Sequence, residues 1–330
     1  MTDAGTVWNR ATEAGGQEED APRRPILGRP LRPTHRHLRI HLVNWRHIER
    51  TSGRGAGPPL LLLHGFPETH LMWREVAPLL ASDFTTFCFD LRGQGESGCP
   101  ESDVQHRPYS KRVMAYELIE AMKSMGFDRF AVAGHDRGGR VAYRMALDHP
   151  ASVTRLAVLD IIPIIEAWDK ADSRLALAFW PWSLMAQPEP LPERLIGGSP
   201  DAVIDDAVSQ WGTPVNRIPA EIRAAYARSL SDPRHVHAIC EEFRSAASLD
   251  REDDEVDRQA GRRIKCPLLI LWDREGALAK WYEAEGGPTG IWRNWADDIT
   301  GKPMDGGHFF PEASPEKTAE ELRSFLHGDS

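Results

Sequence analysis

The chain has 330 residues, of which 41% are hydrophobic, and a formal net charge of −9 at pH 7. This length suits one large domain with an insertion or two small domains, and the negative charge disfavours nucleic acid and anionic membranes as partners. No apolar run approaches the roughly 20 residues that cross a bilayer, and the four cysteines form neither a C-x-x-C pair nor a metal-ligand spacing. Reduced thiols and the lack of a signal-peptide core predict a cytoplasmic protein.

The first elements differ in pattern along the chain. Residues 1–35 are rich in Gly, Ala, Glu, Arg and Pro with little periodicity, which predicts a disordered N-terminal extension. From Leu38 to Val43 apolar and polar residues alternate, as is typical of an antiparallel edge strand. Short continuous apolar runs follow, and such runs predict strands buried on both faces. These runs are Leu60–Leu63, Thr85–Phe89, Phe130–Ala133, Val153–Leu159 and Pro267–Leu271.

Helical patterns separate these runs, so the chain is predicted to be of the α/β class, with a mostly parallel sheet and right-handed crossovers. The helical patterns cover 71–80, 111–125, 138–149 and 315–327. Residues 164–250 break the alternation, because this segment is helical, rich in Trp and Pro, and too long for a loop. We predict a helical lid at 164–250 inserted into a core of 36–163 and 251–330. The charged run 250–255 is expected to be a solvated return from the lid.

The segment Gly134–Arg140 lies between the apolar run Phe130–Ala133 and a helical pattern at 141–147. A strand, a tight glycine-bounded turn and a helix are the context of a nucleophile elbow, and Asp136 stands where serine is usual. A serine that displaces a leaving group from saturated carbon forms an ether, which water does not cleave. A carboxylate forms an ester, which activated water does cleave. Asp136 therefore predicts opening of a carbon–halogen bond or an epoxide.

Two further residues complete the order nucleophile, acid, histidine that the α/β-hydrolase fold requires. Asp160 ends an apolar strand, and His308 lies in a glycine-flanked loop near the C-terminus. We expect His308 to act as general base on water and Asp160 to orient it. The backbone N–H groups of Phe66, which follows the buried run Leu60–Leu63, and of Arg137 are the expected oxyanion-hole donors.

Arg137 and Arg140 open the helix after the elbow and are spaced i, i+3, so their side chains can share one face. A helix N-terminus attracts anions, and guanidinium groups bind carboxylates in bidentate fashion. The pair therefore predicts a small anionic substrate that carries a carboxylate. Pairing with a surface acid is the alternative role of Arg140.

These residues resemble the haloacetate dehalogenases of the α/β-hydrolase fold, including fluoroacetate dehalogenases, over almost the whole chain from about Pro58 to His327. The Asp-Arg-Gly-x-Arg elbow is the specific element, since epoxide hydrolases and haloalkane dehalogenases share the Asp nucleophile but usually place Trp after it. The segments that carry the resemblance are Leu62–His70, Asp90–Gly95, Gly134–Arg140, Leu159–Pro163, Met185–Pro188, Cys240–Glu242 and Gly307–Phe309.

The resemblance implies an eight-stranded, mostly parallel sheet with helices on both faces, a helical lid and a homodimer. It implies hydrolytic dehalogenation of a small 2-halocarboxylic acid, with Asp136 as nucleophile and Asp160 and His308 as acid and base. Arg137 and Arg140 take the place of the carboxylate clamp. No metal or organic cofactor is expected, because both steps use side chains and water.

Two positions depart from the family. Its fluoride pocket consists of a lid His-Trp pair and a lid Tyr, but Pro181 stands where His is expected and Phe243 where Tyr is expected, so that only Trp182 remains. These three residues and the lid residue Trp211 are expected to line the substrate site. Fluoride is a strongly hydrated, poor leaving group that needs such donors. We therefore expect weak defluorination and better turnover of chloro- or bromoacetate.

Other readings stay open. Epoxide hydrolases use two lid tyrosines as acids, whereas the predicted lid contains Tyr226 alone. An ordinary esterase would need Ser or Cys at the elbow. A non-enzymatic member that binds a carboxylate ligand under the lid is the third reading, because a fold does not dictate a function.

Overall fold

The structure, a computed structural model, describes residues 39–43 and 57–328. The predicted extension, residues 1–35, lies outside the described residues. No helix in the described ranges is both long and apolar enough to cross a membrane.

A single sheet organises the described residues, with the strand order β1-β3-β2-β4-β5-β6-β7. Strand β1 pairs antiparallel with β3 at one edge, as predicted, and every other pairing is parallel. The described residues contribute seven strands, so the expected count of eight is not confirmed. The strands are β1 (Arg39–Val43), β2 (Pro59–Leu63), β3 (Thr85–Asp90), β4 (Phe130–His135), β5 (Val153–Leu159), β6 (Leu268–Asp273) and β7 (Ile299–Met304).

Helices connect and cover these strands. Before β6 they are α1 (Val76–Leu80), α2 (Lys111–Ser124), α3 (Asp136–Asp148), α4 (Ile164–Asp169), α5 (Ser173–Ala178), α6 (Trp180–Leu184), α7 (Leu191–Gly198), α8 (Pro200–Gln210), α9 (Ala220–Ser231), α10 (Pro233–Ala247) and α11 (Leu249–Gln259). After β6 they are α12 (Ala277–Trp281), α13 (Gly287–Trp292), α14 (Phe310–Ala313) and α15 (Pro315–His327). Short 3-10 helices lie at His70–Trp73, Arg107–Tyr109, Val215–Arg217 and Glu283–Glu285.

The central strands are buried on both faces, and β2 illustrates why their sequences are continuously apolar. Leu61 and Leu63 pack into the core that contains residues of α2 and α3. Leu60 and Leu62 point the other way, into a core that contains residues of α1 and α15. All four side chains are fully buried. A strand between two helical layers needs apolar residues at every position, since successive side chains point to opposite faces.

Helices α4 to α11 lie between β5 and β6 in the chain. Their apolar residues form a third cluster with loop residues at the carboxyl ends of the strands, among them Phe66 of the loop after β2 and Phe309. The limits of the lid, 164–250, and of the core, 36–163 and 251–330, stay predictions. Helix α11 continues beyond residue 250 to Gln259.

The charged run 250–255 is solvated on one face only, since Arg251 and Glu252 are exposed. Asp250 and Asp254 are buried on the inner face of α11, where their spacing of four residues places them together. Asp250 accepts from the Lys111 ammonium at 3.0 Å, and Asp254 accepts from Arg144 at 2.6 Å. The prediction failed for the inner face because the partners on α2 and α3 are more than 100 residues away along the chain.

Candidate active site

Asp136 lies at the turn between β4 and α3, in a left-handed conformation with φ of +41°. Such a φ is uncommon for a non-glycine residue and marks a strained turn of functional interest. Glycine is required on either side, since a Cβ at Gly134 would lie 2.4 Å from the Gly138 carbonyl oxygen. The turn presents the Asp136 carboxylate at the N-terminal end of α3.

The surroundings of Asp136 favour the charged form of its carboxylate. The Phe66 backbone N–H donates to Asp136 Oδ2 at 3.1 Å. Burial by itself would raise the pKa of Asp136, but neighbouring His308, Arg137 and Arg140 outweigh it and lower that pKa below its usual value. An ionised, partly desolvated carboxylate is a competent nucleophile.

The structure brings Asp160 and His308 together as expected from the order of the residues. His308 Nδ1 lies 2.6 Å from Asp160 Oδ2, and the Asp273 backbone N–H donates to Asp160 Oδ1 at 3.0 Å. Because a carboxylate only accepts, Nδ1 carries the proton and Nε2 is left as the basic nitrogen. The backbone N–H of His308 donates to the Trp211 carbonyl at 2.7 Å, which ties the histidine loop to the lid.

Phe66, one of the two expected oxyanion-hole donors, thus already contacts the Asp136 carboxylate. Arg137, the other, occupies the first turn of α3, where backbone N–H groups have no acceptor within the helix. The Arg137 side chain forms an ion pair away from the cavity, in which Arg137 Nε donates to the Glu242 carboxylate at 2.7 and 3.0 Å. Glu242 also pairs with the Lys111 ammonium. The Arg137 guanidinium lies 4.0 Å from the Phe243 ring centroid and does not line the cavity described below.

Arg140 is the cation that faces the cavity. Its Nη1 donates to the Ile162 carbonyl at 2.9 Å, its guanidinium lies 4.4 Å from the Trp182 ring centroid, and its buried Nε has no hydrogen-bond partner among the described residues. Burial and the charge of Arg137 lower the pKa of Arg140 to about 10, so the group stays charged near neutrality. The alternative role in a surface ion pair is wrong, because the side chain is buried.

A small cavity connects these groups. The centres of water-sized molecules can occupy about 40 Å³ of it, which is room for a few waters or a ligand of a few heavy atoms. The expected residues Pro181, Trp182, Trp211 and Phe243 all line it, but the Trp211 indole N–H already donates to the Ala178 carbonyl at 2.8 Å. The full lining is Phe66, Asp136, Arg140, Asp160, Ile162, Ala167, Leu175, Phe179, Pro181, Trp182, Trp211, Phe243, Leu278, Trp281, Tyr282 and His308.

Several residues around the site were not expected from the sequence. His135 is fully buried, with Nδ1 2.9 Å from the Glu68 carboxylate and Nε2 2.9 Å from the His308 carbonyl oxygen. Burial alone would lower the pKa of His135, but the negative charge of Glu68 and its hydrogen bond raise it to about 9.

Tyr282 lies outside the predicted lid and yet lines the cavity. The residues next to the elbow and in the His-Gly-Phe-Pro-Glu segment could have suggested His135 and Glu68, whereas nothing in the sequence pointed to Tyr282.

Potential metal ligands lie away from this cavity. Among the described residues Glu189, Glu193 and His237 place one ligand atom each within 4.8 Å of one another. None of the three lines the cavity, and the Arg244 guanidinium already contacts Glu193 at 2.7 Å.

Comparison with known proteins places this site in a family. The model of the alpha/beta hydrolase fold family matches residues 58–310. A fluoroacetate dehalogenase from Burkholderia sp. is 41% identical over 82% of this chain and 88% of its own length. A soluble epoxide hydrolase from Corynebacterium sp. (strain C12) is 31% identical over 82% of this chain and 91% of its own length.

A solved structure is similar to this chain in both fold and sequence. A protein from Nostoc sp. PCC 7120, provisionally described as an α/β hydrolase, superimposes with a TM-score of 0.81 at 42% identity and covers 88% of this chain and 95% of its own. The family match spans more than half of the chain, and the dehalogenase relative covers more than four fifths of it. The chain therefore belongs to the α/β-hydrolase fold family, as a haloacetate dehalogenase-like member.

Proposed function

We propose that this protein hydrolyses the carbon–halogen bond of a small 2-halocarboxylate. One observation carries the proposal: the charged Arg140, which has a donor without a partner among the described residues, faces the same small cavity as the ionised Asp136. A cationic donor in a desolvated site requires an anion. Asp136 is the nucleophile, so the anion that Arg140 binds is the carboxylate of the substrate.

In the first step an Asp136 carboxylate oxygen attacks the carbon that carries the halogen. The new carbon–oxygen bond forms as the carbon–halogen bond breaks, and the halide leaves with the electron pair. The product is an ester between Asp136 and the 2-carbon of the acid. Arg140 offsets the repulsion between the nucleophile and the anionic substrate.

In the second step His308 Nε2 takes a proton from water, and the resulting hydroxide adds to the ester carbonyl of Asp136. Asp160 stabilises the imidazolium that forms. The Phe66 N–H, which lies 3.1 Å from Asp136 Oδ2, is positioned to donate to the oxyanion. Cleavage of the bond between the Asp136 carbonyl carbon and the substrate oxygen releases a 2-hydroxycarboxylate, whose new hydroxyl takes the proton of the added hydroxide. His308 passes the proton that it acquired to solvent, and Asp136 returns to its carboxylate form.

The halogen preference follows from the cavity wall. Pro181 and Phe243 line it and have no hydrogen-bond donor in their side chains. Each missing donor costs roughly 10²–10³ in rate where charge develops on the leaving group. Chloride and bromide are less dependent on such donors, so chloro- and bromoacetate are the proposed substrates and defluorination is weak.

Epoxide opening is the second candidate, and the epoxide hydrolase relative supports it. It requires phenol donors for the departing alkoxide. Tyr226 does not line the cavity and instead donates its O–H to Glu312 at 2.9 Å. Tyr282 is then the one phenol of the described cavity wall, whereas epoxide opening uses two, and this favours the dehalogenase.

The test is the initial rate of halide release from fluoro-, chloro- and bromoacetate, with Asp136→Asn as the control. We expect chloride and bromide release that the control lacks, and little fluoride. A single turnover in ¹⁸O-labelled water should place one labelled oxygen in the peptide that contains Asp136. Ready fluoride release would contradict the halogen preference. No halide from any substrate would overturn the dehalogenase and leave an epoxide or a non-reacting carboxylate ligand to be tested.

A further inference from the structure

One phenol reaches the cavity from outside the helical insertion. Tyr282 directly follows α12, in the connection after β6, and is 4% exposed. It lines the cavity together with Leu278 and Trp281 of the same segment. The tyrosine of the insertion, Tyr226, is turned toward Glu312. The phenol of the described cavity wall therefore comes from the segment that follows β6.

Two other donors of the wall are engaged within the protein. The Trp211 N–H donates to the Ala178 carbonyl, and Arg140 Nη1 donates to the Ile162 carbonyl. No residue in the described ranges forms a hydrogen bond with the Tyr282 hydroxyl. A hydroxyl in a mainly apolar cavity gains from a ligand that accepts its proton.

Tyr282 and Arg140 lie within electrostatic reach of each other. The charge of Arg140 is the strongest charged influence on the phenol, although burial dominates and raises the pKa of Tyr282 to about 12. The phenol is thus a donor at neutral pH. Both donors line the same small cavity, so one acceptor bound there can be shared between them.

We propose that Tyr282 is a specificity-determining residue that donates to the carboxylate of the substrate jointly with Arg140. The inference rests on the proposed function. The carboxylate is favoured over the halide because Arg140 follows Asp136 by one helical turn on α3, whereas a displaced halide must depart on the side of the carbon away from Asp136. Tyr282 thus contributes to binding more than to bond cleavage.

Tyr282→Phe tests the proposal by removing only the hydroxyl. We expect KM for chloroacetate to rise about tenfold or more, as for loss of a hydrogen bond to a charged group, while kcat changes less than about twofold because the contact is the same in the ground and transition states. The fold-change in KM should be equal for bromoacetate and absent for the uncharged chloroacetamide. Tyr109→Phe is the matched control, because this buried hydroxyl donates to the Pro100 carbonyl outside the cavity.

Two results would overturn the role. A fall in kcat that is larger for chloroacetate than for bromoacetate would make Tyr282 a leaving-group donor. An unchanged KM would mean that Tyr282 lines the cavity without binding the substrate carboxylate. Titration with glycolate, followed by the fluorescence of the cavity tryptophans, separates this inference from the proposed function. If the wild type releases no halide but binds glycolate more tightly than Tyr282→Phe, the dehalogenase fails and the carboxylate contact stands; if it does not bind glycolate, both fail.

Discussion

At the scale of single residues, the two arginines after the nucleophile have different environments although the sequence presents them as a pair. Arg137 is neutralised by Glu242, and Arg140 has no carboxylate within ion-pair distance among the described residues. A buried cation that is already paired contributes little to binding a further anion. We therefore expect binding of the proposed anionic substrate to depend mainly on Arg140, and the proposed halogen preference to depend on the neighbouring side chains.

We expect one substitution to change the proposed halogen preference. Phe243 lines the cavity and packs edge-on against Phe66, with ring centroids 5.7 Å apart. Phe243→Tyr adds a hydroxyl donor, and we expect fluoride release to rise by roughly 10²–10³-fold relative to wild type, with a smaller gain for bromide, because one donor to a developing charge is worth about this much. Halide-specific initial rates measure the effect. Phe179→Tyr adds a hydroxyl elsewhere in the same cavity and is the control; an equal gain in both variants would contradict the assigned position.

At the scale of elements, α10 and α11 supply acids that neutralise basic residues of α2 and α3. Glu242 of α10 pairs with Arg137 and Lys111, and three acids of α11 are buried on its inner face. Paired buried charges become costly when one partner is lost. These contacts therefore tie the helices that follow β5 to the helix that begins with the nucleophile.

Asp254→Asn tests this link. Asp254 accepts from Arg144 at 2.6 Å and from the Tyr143 hydroxyl at 2.8 Å. The amide keeps the shape but removes the charge, so Arg144 loses part of its neutralisation, and the free energy of unfolding should fall by about 3 kcal/mol. Urea denaturation at pH 7 measures this change in the free energy of unfolding. Glu252→Gln, an exposed acid on the same helix, should change it by less than about 0.5 kcal/mol; similar losses in both would show that the net charge of α11, not this contact, matters.

At the scale of the whole molecule, alternating apolar runs and helical patterns were sufficient to predict a mostly parallel sheet. Strand β7 was missed because Gly301, Lys302 and Pro303 interrupt its pattern. The proximity of Asp136, Asp160 and His308 follows from topology, since each lies at or beyond the carboxyl end of a strand. Pairs such as Arg137 with Glu242 depend on how distant helices pack, which local patterns do not encode.

The link between Glu68, His135 and the backbone of His308 joins three loops at the strand ends, and it gives the stability of the whole chain a pH dependence. The pKa of His135 is raised to about 9 in the folded protein, above its ordinary value of 6.5. A raised pKa stabilises the fold fully below about pH 6.5, and this contribution is lost as the pH rises through about 9. The loss is on the order of 3 kcal/mol.

Glu68→Gln isolates the contribution of the His135 proton to the free energy of unfolding. Without the carboxylate, burial lowers the pKa of His135, so the variant is less stable than the wild type at pH 6.5 but approaches it at pH 9. Urea unfolding at both pH values gives the two slopes, with the exposed Glu101→Gln as control. Burial and the negative charge of Glu68 raise the pKa of Glu312 to about 8, so Glu68→Gln also alters this titration. Both proteins are therefore compared in a Glu312→Gln background, where the difference between their slopes reports on His135. Parallel slopes would mean that His135 is neutral in the folded protein and that its proton does not stabilise the loop of His308.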